Sequence, residues 1–121
     1  MSALDWLIAA VAGGLGAYAR FFVDGVVSLR AGREFPYGTL IVNLSGAVAL
    51  GLISGAALSH TGETLLGTAT VGAYTTFSTW MLETQRLAED GEVAPVYLNV
   101  LVSLFAGLGA VALGRAIGHH L

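Results

Sequence analysis

The residues best suited to chemistry lie in one short segment, residues 72–80, with the sequence GAYTTFSTW. Its hydroxyl groups can donate hydrogen bonds to an anion, and the edges of its aromatic rings carry partial positive charge. Phe77 and Trp80 are three residues apart, so on a helix they share a face. The segment predicts either ordinary packing or one wall of an anion path, whose hydroxyl donors are Thr75, Thr76, Ser78 and Thr79.

The same segment is also a poor helix former. It lies in an uncharged apolar run, residues 65–82, that is nearly long enough to span a membrane. Gly72 and the β-branched threonines that follow it lower the helix propensity. A break in a spanning helix frees backbone carbonyls, which are good cation ligands. Such a break is tolerated only where protein or a water-filled path surrounds it. We therefore expect a broken, functional span here.

Polar residues also occur in the two preceding apolar segments and at the end of this one. Asn43 either cross-links two helices or donates its amide hydrogens to an anion in a pore. Arg20 either extends to the membrane interface and pairs with Asp24, or forms an electropositive mouth. Glu83 lies one turn beyond Thr79, where a pair with Arg86 at i+3 is the simplest expectation.

Small and polar residues recur at helical spacing in two segments. Asn99, Ser103 and Gly107 fall at i, i+4 and i+8, which predicts either a packing seam or one wall of a polar track. Gly51 and Gly55 have the GxxxG spacing of closely packed membrane helices, so we expect them to lie at a helix contact.

The elements that must position these residues are transmembrane helices. The chain has 121 residues, of which 55% are hydrophobic and 11% charged, against about 25% charged in soluble domains. A soluble domain of this size could not bury that much apolar surface. The pattern predicts a single all-α membrane domain, residues 1–121, with spans at about 4–27, 38–59, 65–87 and 93–114.

Composition excludes several function classes. With no cysteine, the chain has neither disulfides nor thiolate chemistry. The net charge of -3 argues against a nucleic-acid partner. The sequence contains no Ser/His/Asp arrangement, metal-spaced cluster or nucleotide-binding loop, so we do not expect an enzyme.

The distribution of arginines leaves the orientation in the membrane open. With four spans, one side would carry only Arg115, and the other Arg30, Arg33 and Arg86. Basic residues favour the cytoplasmic side, but this bias is weak. A chain that inserts both ways could form an antiparallel dimer, whereas the alternative is one fixed topology.

Three motifs in order resemble those of the Fluc (CrcB) family of small fluoride channels, and the resemblance covers essentially the whole chain. They are residues 13–20 (GGLGAYAR), 38–46 (GTLIVNLSG) and 72–80 (GAYTTFSTW). The second and third motifs, correctly spaced in a four-span chain, are highly specific. The resemblance implies a passive fluoride channel in the cell membrane of a prokaryote, built as an antiparallel, dual-topology homodimer or paired with a homologous chain.

The resemblance also implies roles for individual residues. A structural sodium ion would bind the backbone carbonyls of Gly72 and Thr75 at the break in the third helix. Arg20 would stand in the vestibule. The fluoride pore would be lined by Asn43, Thr76, Phe77, Ser78, Thr79, Trp80, Glu83 and Ser103.

The chain departs from the family pattern at two positions. Trp80 stands where phenylalanine is common, and its indole N–H could add a donor to the pore. Asn99 stands where the polar track of the fourth helix often begins with tyrosine.

Two hypotheses from other classes accompany the channel. A small four-helix proton-coupled multidrug antiporter needs a carboxylate embedded in the membrane. Asp24 and Glu83 both lie near span ends, which speaks against it. The third hypothesis is an assembly or scaffold subunit without transport activity.

Overall fold

Three long apolar helices form most of the chain. The computed structural model describes all residues, 1–121, and contains helices but no strands. The helices in chain order are α1 (Ala3–Ala31), α2 (Tyr37–Gly55), α3 (His60–Glu63), a π-helical segment (Thr64–Val71), α4 (Gly72–Tyr74), α5 (Ser78–Glu89) and α6 (Val93–Gly118). Helices α1, α2 and α6 are each long and apolar enough to cross a membrane.

The ends of the long helices follow local signals. Helix α1 begins with a capping box, in which Ser2 Oγ accepts from the Asp5 N–H at 3.2 Å and the Ser2 N–H donates to Asp5 at 2.9 Å. Its last residue is Ala31, beyond the predicted boundary at 27, and Gly32, with a φ of 81°, ends it. Helix α2 follows Pro36 and ends at Gly55, earlier than the predicted residue 59. Helix α6 continues to Gly118, past the predicted residue 114.

The predicted span at 65–87 is divided into pieces. It consists of the π-helical segment, the single turn α4, three non-helical residues at 75–77 and helix α5. Within the π-helical segment the Thr70 hydroxyl donates to the Leu65 carbonyl, five residues back, at 2.7 Å. This spacing matches the π-helical repeat, which is frequent near functional sites.

Glycines bring α2 and α6 into backbone contact. A Cβ on Gly51 or Gly55 would collide with the α6 backbone, and a Cβ on Gly114 or Gly118 would collide with the α2 backbone near Val48 and Leu52. The two GxxxG pairs therefore fit together reciprocally. The expectation that Gly51 and Gly55 lie at a helix contact is confirmed.

A similar close approach fixes the interrupted segment against α1. Gly16 is buried, and a Cβ there would collide with the Thr70 carbonyl and approach the Tyr74 N–H to 3.3 Å. A Cβ on Gly46 of α2 would likewise collide with the Thr75 methyl group. The segment that contains the break is thus held between α1 and α2.

Most of the large apolar side chains face outwards. Only Val42, Val71 and Leu87 form a buried hydrophobic core, whereas Phe21 is 81% exposed and Phe105 is 69% exposed. Apolar surface on this scale needs lipid or another protein chain to cover it. The chain is a multi-pass membrane protein.

Candidate functional site

The backbone leaves helical geometry at the two threonines of segment 72–80. Helix α4 ends at Tyr74, Thr75 is extended with φ -80° and ψ 161°, and helical structure resumes at Ser78. Gly72 itself is helical, with φ -59° and ψ -39°. The segment is broken as the sequence predicts, but the break follows Gly72 by three residues.

Asn43 holds the break by bonding to both sides of one residue. Its Nδ2 donates to the Thr76 carbonyl at 2.8 Å, and its Oδ1 accepts from the Thr76 N–H at 2.9 Å. The second bond fixes the orientation of the amide, because a peptide N–H can donate only to the oxygen. One amide hydrogen is therefore used in cross-linking α2 to the break, and the other has no acceptor within the chain. Of the two interpretations of Asn43, the cross-link is present.

These side-chain bonds change the backbone pairing at the break. In a continuous helix the Thr76 N–H would donate to the Gly72 carbonyl, and the Thr79 N–H to the Thr75 carbonyl. Here Thr76 donates to Asn43, and Thr79 donates to the Thr76 hydroxyl at 3.2 Å. The carbonyls of Gly72 and Thr75 therefore lose their helical donors. Carbonyl oxygens without donors suit a hard cation, so these two groups fit the predicted sodium site.

An uncharged groove runs along one side of the break. This aromatic groove, with a volume of about 430 Å³, is open to the surface of the chain. Phe77 and Trp80 meet edge to face there, with ring centroids 5.7 Å apart and planes at 78°. The groove brings together several of the predicted pore residues, and its polar or aromatic lining is Asn43, Thr75, Thr76, Phe77, Trp80 and Ser103.

A second open cavity adjoins the aromatic groove on the side of the π-helical segment. It has a volume of about 410 Å³ and includes Gly72. Asn43 and Thr75 line both spaces. The predicted cation ligands and the predicted anion path therefore share a wall.

A smaller polar cavity lies on the other side of Thr76. This inner cavity, of about 170 Å³, is lined by Arg20, Asp24, Thr39, Thr76 and Thr79, together with Phe21 and Val42. No ion pair joins Arg20 to Asp24, whose carboxylate instead accepts from the Ser28 hydroxyl at 3.3 Å. The inner cavity thus contains an arginine and a carboxylate that are not paired with each other.

Glu83 connects the inner cavity to a charged cavity near the chain surface. The charged cavity, of about 190 Å³, contains Glu83 with Arg33 and Arg86. The expected Glu83–Arg86 pair is absent, and Glu83 instead accepts a short hydrogen bond from the Thr39 hydroxyl. Thr39 is only 3% exposed and also lines the inner cavity. Sequence reasoning missed Thr39, although it lies four residues before Asn43 on the same face of α2.

Comparison with known proteins places the chain in a family. The family described as "CrcB-like protein, Camphor Resistance (CrcB)" matches residues 7–115. The chain belongs to the CrcB family. It is 53% identical, over 112 residues, to "Fluoride-specific ion channel FluC 2" of Mycolicibacterium paratuberculosis, with 93% of this chain and 92% of that protein covered.

Other CrcB relatives carry similar names. The chain is 51% identical to "Fluoride-specific ion channel FluC 2" of Mycobacterium tuberculosis, covering 93% of this chain and 89% of that protein. It is 42% identical to "Fluoride-specific ion channel FluC 1" of Leifsonia xyli, covering 98% and 89%. The family is one of ion channels, not of enzymes.

Trp80 and Asn99, the two residues that depart from the family pattern, are in contact with each other. The Trp80 indole N–H donates to the Asn99 carbonyl at 3.2 Å, so it is not the free pore donor that the sequence suggested. Asn99 is only 1% exposed and donates to the Thr84 hydroxyl at 2.8 Å. The predicted stripe on α6 is therefore divided, because Asn99 is packed against α5 while Ser103 and Gly107 line the aromatic groove.

Ser78 differs from the other hydroxyl residues of the segment. It is exposed and begins α5, and it lines none of the four cavities described above. Thr79 faces the inner cavity and not the aromatic groove. The hydroxyls of the segment are thus distributed over both sides of the break.

Proposed function

We propose that this chain is a fluoride-selective passive channel that lets fluoride leave the cytoplasm. The observation that carries the proposal is the aromatic groove, where ring edges, hydroxyls and one free amide hydrogen line a space without charged side chains. Several weak donors of this kind compensate for the lost hydration of an anion without retaining it. The printed names of the relatives agree with this chemistry.

Polar residues outside the aromatic groove form the two ends of the proposed fluoride path. Arg20 in the inner cavity raises the local concentration of anions. Thr76 and Thr79 provide hydroxyls between Arg20 and the break, and Glu83 with Thr39 lies towards the charged cavity. The pore-lining residues we propose are Asn43, Thr76, Phe77, Thr79, Trp80, Glu83 and Ser103; the predicted Ser78 is left out because it lines none of these cavities.

A second copy of the chain would complete the pore. Phe77 is 70% exposed in one chain, and the aromatic groove is open to the surface. We propose four membrane crossings, with the interrupted segment as the third, and an antiparallel dual-topology dimer. The weak arginine bias between the two sides supports insertion in both directions. A homologous chain could replace one copy.

The carbonyls of Gly72 and Thr75 would hold a structural sodium ion. When bound, the ion would supply positive charge that links the carbonyls of the break. Two carbonyls do not complete a coordination shell, so the same two groups of an antiparallel partner would supply the remainder. Asn43 supports this site, because it withdraws the Thr76 N–H that would otherwise occupy the Gly72 carbonyl.

The physiological setting follows from the acid chemistry of fluoride. In an acidic environment fluoride crosses a membrane as its neutral weak acid, and it dissociates in the more alkaline cytoplasm. A passive pore in the cell membrane of a prokaryote would then release the anion down its electrochemical gradient, without ATP or a coupled ion. The antiporter hypothesis finds no support, because the relatives are named as channels.

Fluoride efflux from reconstituted vesicles tests the proposal. Purified protein in liposomes loaded with potassium fluoride and a sodium salt should release fluoride as soon as a potassium ionophore lets potassium leave with it, and vesicles loaded with potassium chloride should release no chloride. Replacing sodium by N-methylglucamine on both sides should lower the fluoride flux. Absence of fluoride flux in the presence of sodium would refute the channel. Unchanged flux without sodium would refute the sodium site alone.

The scaffold hypothesis makes a different prediction in cells. If the chain only assembles other proteins, substitution of Phe77 or Asn43 would leave fluoride tolerance unchanged. If it conducts fluoride, a strain that depends on this chain should lose tolerance with either substitution.

A further inference from the structure

Trp80 is the only aromatic side chain of the aromatic groove that is tied to a neighbouring helix. Its Nε1–H donates to the backbone carbonyl of Asn99 on α6 at 3.2 Å. Phe77 has no polar atom, is 70% exposed and meets the ring of Trp80 edge to face. The geometry of the aromatic pair therefore depends on how firmly Trp80 is held.

Two further hydrogen bonds close a ring around Trp80. The Asn99 amide donates to the Thr84 hydroxyl at 2.8 Å. The Thr84 hydroxyl in turn donates to the Trp80 carbonyl at 2.8 Å. The ring thus runs from the indole to the backbone of Asn99, through its side chain to Thr84, and back to the main chain of Trp80.

The ring is closed by three hydrogen bonds and centres on a buried residue, Asn99, whereas Trp80 and Thr84 are partly buried. Asn99 is 1% exposed, and no buried side-chain nitrogen or oxygen in the chain lacks a hydrogen-bond partner. Buried polar networks in which every member is satisfied restrict the conformations of the groups they join. Neither Asn99 nor Thr84 lines the aromatic groove, so neither residue touches a passing ion.

We infer that Thr84 and Asn99 are positioning residues, which fix the indole of Trp80 for fluoride passage. The inference rests on the proposed function. The network turns the strongest donor of the groove, the indole N–H, into the contact between α5 and α6. The ring of Trp80 remains in the groove beside Phe77, where it offers only weakly positive edges. The anion then meets many weak donors instead of one strong one, as rapid exit requires.

The fluorescence of Trp80 provides a direct test of its position. The chain has two tryptophans, and Trp6 is 63% exposed near the start of α1. In a Trp6→Phe background, Trp80 is the only emitting tryptophan. Thr84→Val keeps the shape of the side chain but removes both hydrogen bonds of the hydroxyl. We expect it to shift the emission maximum of Trp80 and to lower its anisotropy, whereas Thr84→Ser should leave both unchanged.

Thr64→Val is the matched control. The Thr64 hydroxyl also donates to the carbonyl four residues back, that of His60, at 2.9 Å, but it lies far from Trp80 in the chain and takes no part in the network. It should change neither the emission nor the fluoride flux. Asn99→Leu is a second variant of the network and should act in the same direction as Thr84→Val.

Fluoride efflux separates positioning from general stability. Thr84→Val should lower the efflux rate by at least about fivefold, because the loss of a single hydrogen bond corresponds to about that factor and this substitution removes two. In a Trp80→Phe background, which has no indole N–H, Thr84→Val should have little further effect on efflux. The melting temperature of each variant shows whether the fold is retained.

Two outcomes would overturn the inference. One is an unchanged Trp80 emission in Thr84→Val. The other is an equal loss of efflux from Thr84→Val with Trp80 and with phenylalanine at position 80. If the unsubstituted protein conducts no fluoride, the proposed function fails, and the emission then decides alone whether the network positions Trp80.

Discussion

The α2–α6 contact and the break at residues 75–77 are two opposite solutions to the same requirement. Both must satisfy polar backbone groups inside a membrane protein. Along α2 and α6 the helices are regular, so each backbone satisfies itself, and glycines allow the two to touch. At the break, side chains replace the helical donors, and Asn43 alone bonds both polar groups of Thr76.

The comparison assigns stability to the α2–α6 contact and function to the break. The regular contact leaves no polar group for a ligand. The break leaves two carbonyls and one amide hydrogen unpaired, and it places them beside the aromatic groove and the cavity next to it. The rigid α2–α6 pair holds Asn43 and Ser103 on either side of that groove. The break can therefore leave backbone groups without hydrogen-bond partners, because the regular α2–α6 contact holds the fold around it.

Enlarging a glycine of the α2–α6 contact should have the largest effect. Gly114→Val would force side-chain atoms into the α2 backbone at Val48, where even a Cβ collides. Overpacking of this kind costs about 3 kcal/mol or more of the free energy of unfolding when backbones must separate. We expect little folded protein, measured as the yield of monodisperse material in detergent and its melting temperature.

The control for this substitution lies on the same helix. A Cβ on Gly109 would meet no atom within 4 Å in the chain, and Gly109 is exposed. Gly109→Val should therefore yield folded protein. Normal yield and stability of Gly114→Val would show that the glycine contact does not hold the two helices together.

Removing the amide that holds the break should abolish transport but not folding. Asn43→Leu has a similar volume and loses both bonds to Thr76, so the Thr76 N–H can return to the Gly72 carbonyl and the helix can close. We expect no measurable fluoride efflux. We also expect sodium to lose its stabilising effect, measured as the melting temperature with sodium against N-methylglucamine.

Ser45→Ala provides the comparison for Asn43→Leu. Ser45 is another polar residue of α2, and its hydroxyl contacts the Val42 carbonyl and the Tyr74 hydroxyl without bonding to Thr76. Its replacement should leave the effect of sodium unchanged. If Asn43→Leu still responds to sodium like the unsubstituted protein, the amide does not keep the Gly72 carbonyl free.

The two regions also differ in how far the sequence predicted them. Apolar length and glycine spacing predicted α1, α2 and α6 and the contact of Gly51 and Gly55, because these features depend on local repeats. The poor helix propensity of segment 72–80 predicted that the segment would break. The place of the break depends on Asn43, which is 33 residues from Thr76 in the chain, so no local pattern specifies it.

The predicted ion pairs within helices fared worst, because the partners of these residues lie far away in the sequence. Arg20 with Asp24 and Glu83 with Arg86 have the spacing of helical ion pairs, yet neither pair forms. Such pairs contribute little at a surface, so a tertiary partner replaces them easily. Glu83 bonds to Thr39, which is 44 residues away. The role of Asn99 as a packed residue likewise depends on Thr84 of another helix.

Substitution of Thr39, which donates to Glu83, should have the smallest effect of these changes, a partial loss of transport. Thr39→Val keeps the volume of this buried side chain but removes the donor to Glu83. Loss of a donor to a half-buried carboxylate costs about 1–3 kcal/mol, so we expect fluoride efflux to fall about tenfold while the protein remains folded. Thr39→Ser retains the hydroxyl and should conduct nearly as well as the unsubstituted protein. If valine and serine at position 39 gave the same efflux, the hydrogen bond would not matter for transport, and the path between the inner and charged cavities would not pass Glu83.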